Sequence, residues 1–288
     1  MSSAAIQGVR GAFSHAAAIG ALGSDVEVVE CRTFEDLFAA VEAGHAQHGI
    51  VPVENSLAGS VQRNMDLLLR HALPVVAEAR VRVRLCLAAR PGAVLEDVSR
   101  AASHPVALEQ CHRFFARNPT VERRPAFDTA GSIKDLMAGN ADYDAAIGSE
   151  LAASLYGADI LERDLEDDRH NYTRFLMVAP ERITPPEKGA KTSLVFQVRH
   201  EPGSLNTALG VLTRHSVDLT RLESRPIPGR PWEYRFYADL RGPSPEDQLA
   251  AVEALGVVAE EIHVLGQYRE AGDRDQYGRG ECPAACPH

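Results

Sequence analysis

Apolar and polar positions in the first ~180 residues alternate between short β-rich runs and helical periods, the pattern of a largely parallel sheet covered by helices. Strand-like runs fall at 4–9, 26–31 and 49–53, with helical periods at 14–22 and 33–43 between them. A long β-rich run follows at 74–89. Strand and helix patterns then alternate through 98–103, 106–117, 120–124 and 129–137, and the region closes with 145–148, a helix at 150–156 and a strand at 174–179. The run from Pro74 reads as a crossover between two half-domains, and the stretch near 164–171 as the return. A cleft between two lobes is therefore expected, with its chemistry on the loops that follow strands.

Pro185, Pro186 and Gly189 give residues 183–189 the composition of a linker. A second unit then runs strand 191–199, helix 203–214, strand 217–226, strand 232–241, helix 245–255 and strand 257–267, with a turn at Pro228-Gly229-Arg230-Pro231. That order is the ferredoxin-like α+β split motif. The expected division is 1–182, split into lobes of 1–80 with 165–182 and of 81–164, then 190–268, and a disordered tail at 269–288.

The length of 288 residues and 45% hydrophobic content are enough for more than one core. A net charge of -10, from 40 acidic and 30 basic residues without a basic run, argues against a nucleic-acid partner. No cationic and apolar leader begins the chain and no apolar stretch reaches the ~20 residues that span a bilayer, so a cytoplasmic protein with no membrane partner is expected. The five cysteines have no repeated spacing that would suggest a disulfide framework. Cys282, Cys286 and His288 lie in a Gly, Pro and Asp-rich tail without a fourth ligand, so no metal is expected.

Four strand-following loops are rich in small polar residues. They are Gly8-Val9-Arg10-Gly11-Ala12-Phe13-Ser14, then 49–56 running on to Gly59-Ser60, then Ser103-His104-Pro105 ahead of Gln110 and Cys111, and Asp128-Thr129-Ala130-Gly131-Ser132. Helix starts of this kind, Ser14 acting as a cap among them, expose N–H groups that together suit a carboxylate ligand. Taken singly, each is what helix capping alone requires. Glu54 differs, because it directly follows an apolar strand and a carboxyl group at a strand end facing a cleft can act as a general acid. The competing reading is a surface carboxylate at a helix start.

Asn171-Tyr172-Thr173-Arg174-Phe175 enters the last strand of the region. It resembles the Thr-Arg-Phe signature of prephenate dehydratases. Pro52-Val53-Glu54-Asn55-Ser56, Ser103-His104-Pro105 with Gln110-Cys111, and Asp128 to Ser132 are similar to that family's other motifs, in the same order. The resemblance covers nearly all of residues 4–270. It implies a two-lobed, periplasmic-binding-protein-like α/β catalytic region, followed by a regulatory domain of the ACT type. It implies conversion of prephenate to phenylpyruvate, water and carbon dioxide, without a cofactor, in phenylalanine synthesis. Thr173, Glu54, Ser103 and Gln110 are the implied catalytic set, and Asn55, Ser56, Ser14, Thr129, Ala130, Gly131, Arg174 and Phe175 the substrate-binding set. Arg174 ranks lower, since strand alternation turns it away from Thr173. Gly203, Ser204 and Leu205, with Glu223, Ser224, Arg225 and Pro226, are implied to hold L-phenylalanine across a subunit interface, in a homodimer or homotetramer. Val106 and Ala12 stand where the family commonly has Gln and Thr, which leaves the choice between prephenate and arogenate open. A prephenate decarboxylase and a non-enzymatic two-lobed binding protein are the alternatives.

Overall fold

The computed structural model describes residues 2–272. The chain opens with β1 (Ser3–Gln7), α1 (Phe13–Leu22), β2 (Glu27–Cys31), α2 (Phe34–Glu42), β3 (His48–Asn55), β4 (Gly59–Ser60), α3 (Gln62–His71) and β5 (Val75–Arg82). It crosses to β6 (Cys86–Ala89), β7 (Arg100–Ser103), α4 (Pro105–Glu109), α5 (His112–Arg117), β8 (Glu122–Pro125), α6 (Thr129–Met137), β9 (Ala145–Gly148), α7 (Glu150–Tyr156) and β10 (Asp159–Glu162). The return strand is β11 (Tyr172–Val178). Beyond it lie β12 (Ala190–Gln197), α8 (Ser204–Arg214), β13 (Asp218–Ile227), β14 (Arg230–Arg241), α9 (Pro245–Leu255) and β15 (Glu261–Arg269).

Helix starts follow local chemistry. Thr33 forms a reciprocal capping box with Asp36, and Asp128, Ser149 and Ser244 cap α6, α7 and α9 through their side-chain oxygens. Ser14 does not cap α1: the cap position is Ala12, and Ser14 lies buried inside the helix. The single helix expected over 106–117 is two. The break falls at Gln110 and Cys111 because Asp167, far along the chain, accepts the N–H groups of His112 at 2.7 Å and Arg113 at 2.9 Å and starts a new helix there.

The first sheet has the order β2-β1-β3-β11-β5, with β4 paired to β3, and the second the order β10-β6-β9-β7-β8. β1 is parallel to β2 and β3, whereas β11 returns antiparallel between β3 and β5. This is the two-lobed arrangement of periplasmic binding proteins. The two crossings between lobes are tied together by buried Glu166, which accepts the N–H of Leu85 at 2.9 Å. The third sheet, β13-β14-β12-β15, is antiparallel and carries α8 and α9, completing the split β-α-β-β-α-β motif.

The third sheet does not hang free. Val195, Tyr237, Leu265 and Tyr268 share a core with Leu68, Val75 and Leu176 of the first lobe. At Gly266 a Cβ would sit 2.1 Å from the carbonyl oxygen of Val75, so only glycine lets β15 come this close to β5. Residues 269–272, expected in the tail, belong to the fold: β15 reaches Arg269, Glu270 pairs with Arg241 at 2.5 Å, and Ala271 is buried. Cys282, Cys286 and His288 lie outside the described residues. Among the described residues no helix is long and apolar enough to cross a membrane.

Candidate active site

Successive side chains on a strand leave by opposite faces, so Thr173 and Arg174 serve different surroundings. In the pairing of β11 with β3, Thr173 lies opposite Asn55 and Arg174 opposite Glu54, after which Phe175 faces Pro52 and Val53 is left over as a bulge. Counted from Ile50, which packs beside Phe175 in the core under α1, simple alternation sends Glu54 to that same face. The bulge re-phases the strand. Glu54 instead joins the face of Val51 and Val53, turned to the third sheet, with its carboxylate 3.9 Å from Arg221 Nε.

On the other face the structure builds a directed chain of amides. Asn55 Oδ1 accepts the backbone N–H groups of Leu57 at 3.0 Å and Ala58 at 2.8 Å, which settles the orientation of that amide. Its Nδ2 therefore donates, to Thr173 Oγ1 at 3.0 Å and Asn171 Oδ1 at 2.8 Å. Asn171 in turn donates from Nδ2 to Gln110 Oε1 at 2.9 Å. The polarity runs one way from β3, through the return crossing, into the second lobe. It leaves the Thr173 hydroxyl proton and the Gln110 amide hydrogens to be given elsewhere, which suits a ligand rich in acceptor oxygens.

Asn171 opens the sequence motif without a chemical role legible there. It is fully buried and is the piece that joins the two lobes' contributions. Its only signal in the sequence is a polar amide directly ahead of an otherwise apolar strand. Ser56 fixes the same crossing, donating to the His170 carbonyl at 2.7 Å and accepting the N–H of Tyr172 at 2.9 Å. Cys111 beside Gln110 is no nucleophile, because burial pushes its thiol far up from the ordinary range, with Asp167 adding to the effect.

Other expected residues go elsewhere. Glu54 is not brought to Thr173. Ser103 is fully buried and donates to the Ile147 carbonyl at 2.6 Å, holding β7 to β9. Arg174 is held by Glu78 (2.8 Å), Asp239 (2.5 Å) and the Tyr268 hydroxyl (3.2 Å), so it docks the third sheet on the face away from Thr173. Phe175 and Ala130 are core residues of the first and second lobes.

Across the cleft, the loop before α1 meets the second lobe. Ser149 Oγ donates to the Gly11 carbonyl at 2.5 Å, Tyr156 donates to that of Arg10 at 2.8 Å, and a Cβ on Gly11 would lie 2.6 Å from Ala152 Cα. The Gly11 N–H donates to His15 Nδ1 at 3.0 Å, which requires a neutral imidazole; burial, then Arg10, keeps His15 below its ordinary pKa. Thr129 and Gly131 open α6 nearby. Asp128 accepts the Gly131 N–H, and its carboxyl is raised by burial despite that bond.

In the third sheet, Leu205 lines a cavity of about 330 Å³ with His200, Pro202, Tyr234 and Phe236, beside Gly203 and Ser204 at the start of α8. Glu223 and Arg225 do not reach it within one chain. They bond Ser60 at 2.6 Å and Asp66 at 2.5 Å of the first lobe, while Ser224 and Pro226 point outward, exposed.

Comparison with known proteins agrees with this architecture. The prephenate dehydratase family profile matches residues 4–183. The Arabidopsis thaliana protein named arogenate dehydratase/prephenate dehydratase 2, chloroplastic, is 42% identical over 276 residues, covering 92% of this chain and 72% of its own. The structure of prephenate dehydratase from Arthrobacter aurescens in complex with L-Phe is 30% identical, with a TM-score of 0.85 over 93% of this chain and 90% of that one. A structure described as GqqA, a novel type of quorum quenching acylase, is 35% identical, also with a TM-score of 0.85, over 94% of this chain and 99% of that one. A two-lobed fold with the Thr173 signature on its return strand, together with a profile match over more than half the chain and these identities, leads to one conclusion: the chain belongs to the prephenate dehydratase family.

Proposed function

We propose that the reaction, conversion of prephenate to phenylpyruvate in phenylalanine synthesis, takes place where Thr173 and Gln110 face the cleft. In prephenate the ring hydroxyl and the ring carboxylate are lost together. The carbon–carbon bond to the carboxylate breaks, its electron pair aromatises the ring, and the hydroxyl leaves from the far side, becoming water as it takes up a proton. Hydroxide is a poor leaving group, so a positioned donor at that oxygen lowers the barrier. The observation that carries the reading is the bond from Asn55 Nδ2 to Thr173 Oγ1. It occupies the oxygen of Thr173 and turns the hydroxyl proton outward. A threonine hydroxyl is too weak an acid to give that proton up outright, so Thr173 supplies the hydrogen bond while the proton arrives from solvent. Gln110 and the helix starts at Phe13 and Thr129 receive the carboxylates. Mixing the protein with prephenate and following phenylpyruvate by its ultraviolet absorbance tests this; an unchanged spectrum refutes it.

Arogenate is the second substrate to compare, favoured by the names of the plant relatives. It differs from prephenate only in carrying an amino-acid side chain in place of the pyruvyl group, so the ratio of kcat/KM for the two decides the preference. The C-terminal unit is proposed to be an ACT-type sensor in which L-phenylalanine, held by Gly203 to Leu205 and the segment Glu223 to Pro226 of two subunits, inhibits the enzyme. The Arthrobacter aurescens relative was solved with L-Phe, which supports this. Inhibition by phenylalanine, and sedimentation as a homodimer or homotetramer, are the expected results. The buried free thiols of Cys31, Cys86 and Cys111 suit the reducing cytoplasm, where we place the protein.

A further inference from the structure

The third sheet also touches the catalytic hairpin directly, at a rung next to the one that holds Thr173. In the β3–β4 hairpin Glu54 lies opposite Ser60 and Asn55 opposite Gly59. From β13, the Arg221 guanidinium reaches both members of the first rung: Nη2 donates to Ser60 Oγ at 3.1 Å, and Nε lies 3.9 Å from Glu54 Oε2. The same Nη2 donates to Glu223 Oε2 at 2.5 Å, and Ser60 Oγ donates to that oxygen at 2.6 Å, closing a triangle. The Arg221 side chain is only 9% exposed. A register slip between Leu219 and Arg221 turns this row of β13 toward the catalytic region, and Arg225 extends it onto α3 by donating to Gln62 at 2.8 Å and Asp66 at 2.5 Å.

We infer that Arg221 is a positioning residue for the dehydration, acting through Ser60 and the hairpin to set the angle at which Asn55 holds Thr173. The inference rests on the reading of the cleft given above. β4 has two residues and the turn at 56–58 is exposed, and so short a ribbon does not hold its own geometry in water. Ser56 anchors the turn to the return crossing, and the Arg221–Ser60–Glu223 triangle anchors the other arm. With that arm released, Asn55 swings relative to Thr173, and a misplaced donor lowers turnover without altering the groups that bind substrate.

The test uses the full chain with prephenate, comparing the parent with Ser60→Ala, Ser60→Thr and Arg221→Gln. In Ser60→Ala and Arg221→Gln, kcat is expected to fall about 5- to 20-fold with KM within about twofold of the parent. Ser60→Thr, which keeps the hydroxyl, restores kcat to within about twofold. An active parent whose kcat is unchanged in Ser60→Ala overturns the inference, as does a loss that Ser60→Thr fails to restore or that appears in KM instead. Should Arg221→Gln fold poorly, Ser60→Ala, which removes one hydroxyl, decides alone. A parent inactive on prephenate refutes the dehydratase reading itself, a result distinct from all of these.

Discussion

Thr173 and Arg174 are chain neighbours whose side chains leave β11 in opposite directions: Asn55 Nδ2 meets Thr173 Oγ1 at 3.0 Å, while Arg174 Nε meets Glu78 Oε2 at 2.8 Å on the far face. One strand thus carries the amide chain on one side and the docking of the third sheet on the other, and substitutions one residue apart are expected to fail in different ways.

Replacing Thr173 with Ala should lower kcat by roughly 10²–10⁴, with a stability loss of about 1 kcal/mol because the Asn55 amide loses its acceptor. Thr173→Ser keeps the hydroxyl and should recover most of the rate. Steady-state kinetics on prephenate beside a thermal melt of each variant checks both halves.

Arg174→Met is a stability lesion. It leaves Asp239 buried without its cation, while Glu78 keeps Lys191 at 3.0 Å, a loss of about 3–5 kcal/mol by urea denaturation. Burial alone would raise the Asp239 carboxyl, but Arg174 and the Ser193 hydroxyl hold it below its ordinary value. In the parent this carboxylate therefore contributes stability that is complete above about pH 4 and is lost as pH falls through its lowered pKa. That acid-dependent contribution should vanish in Arg174→Met.

Glu54→Gln should cost less than about tenfold in kcat, since the carboxylate faces Arg221 and not the leaving oxygen. A loss comparable to that of Thr173→Ala, with the basic limb of the pH–rate profile abolished, would return Glu54 to the role of general acid.

Asn171→Ala breaks the amide chain between Asn55 and Gln110 and leaves buried polar atoms unmatched. At about 1–3 kcal/mol for such a group, stability by urea denaturation should fall by that amount, with Asn171→Asp no better, because a carboxylate cannot donate to Gln110.

His15 makes the loop before α1 sensitive to acid. Its folded pKa lies below the ordinary value of about 6.5, so the contribution it makes as a neutral acceptor is present above that value and is lost as pH falls through the lowered one. Melting temperature followed from pH 8 to pH 5 should drop in the parent and drop less in His15→Asn.

Much of this protein can be read along the chain, because strand and helix periods and caps are local. The pattern at 145–148 and 150–156 coincides with β9 and α7, and the order of the third sheet's elements follows its sequence periodicity. The Thr173 motif and the family it resembles are likewise properties of short segments. What stayed hidden arises where residues far apart in sequence meet. The break before α5 depends on Asp167, more than fifty residues later, and the turn of Glu54 toward the third sheet depends on a bulge at Val53 that shows only in the pairing of β3 with β11. A single extra residue in one strand inverts every assignment beyond it, and no local propensity encodes it. Asn171 gained its place in the same way, since an amide acquires a direction only when both of its neighbours are in position. The amino-acid order by itself determined which segments fold and what family they resemble; tertiary pairing alone decided which side chains share a face, because facing is set by register between strands and not by position along one.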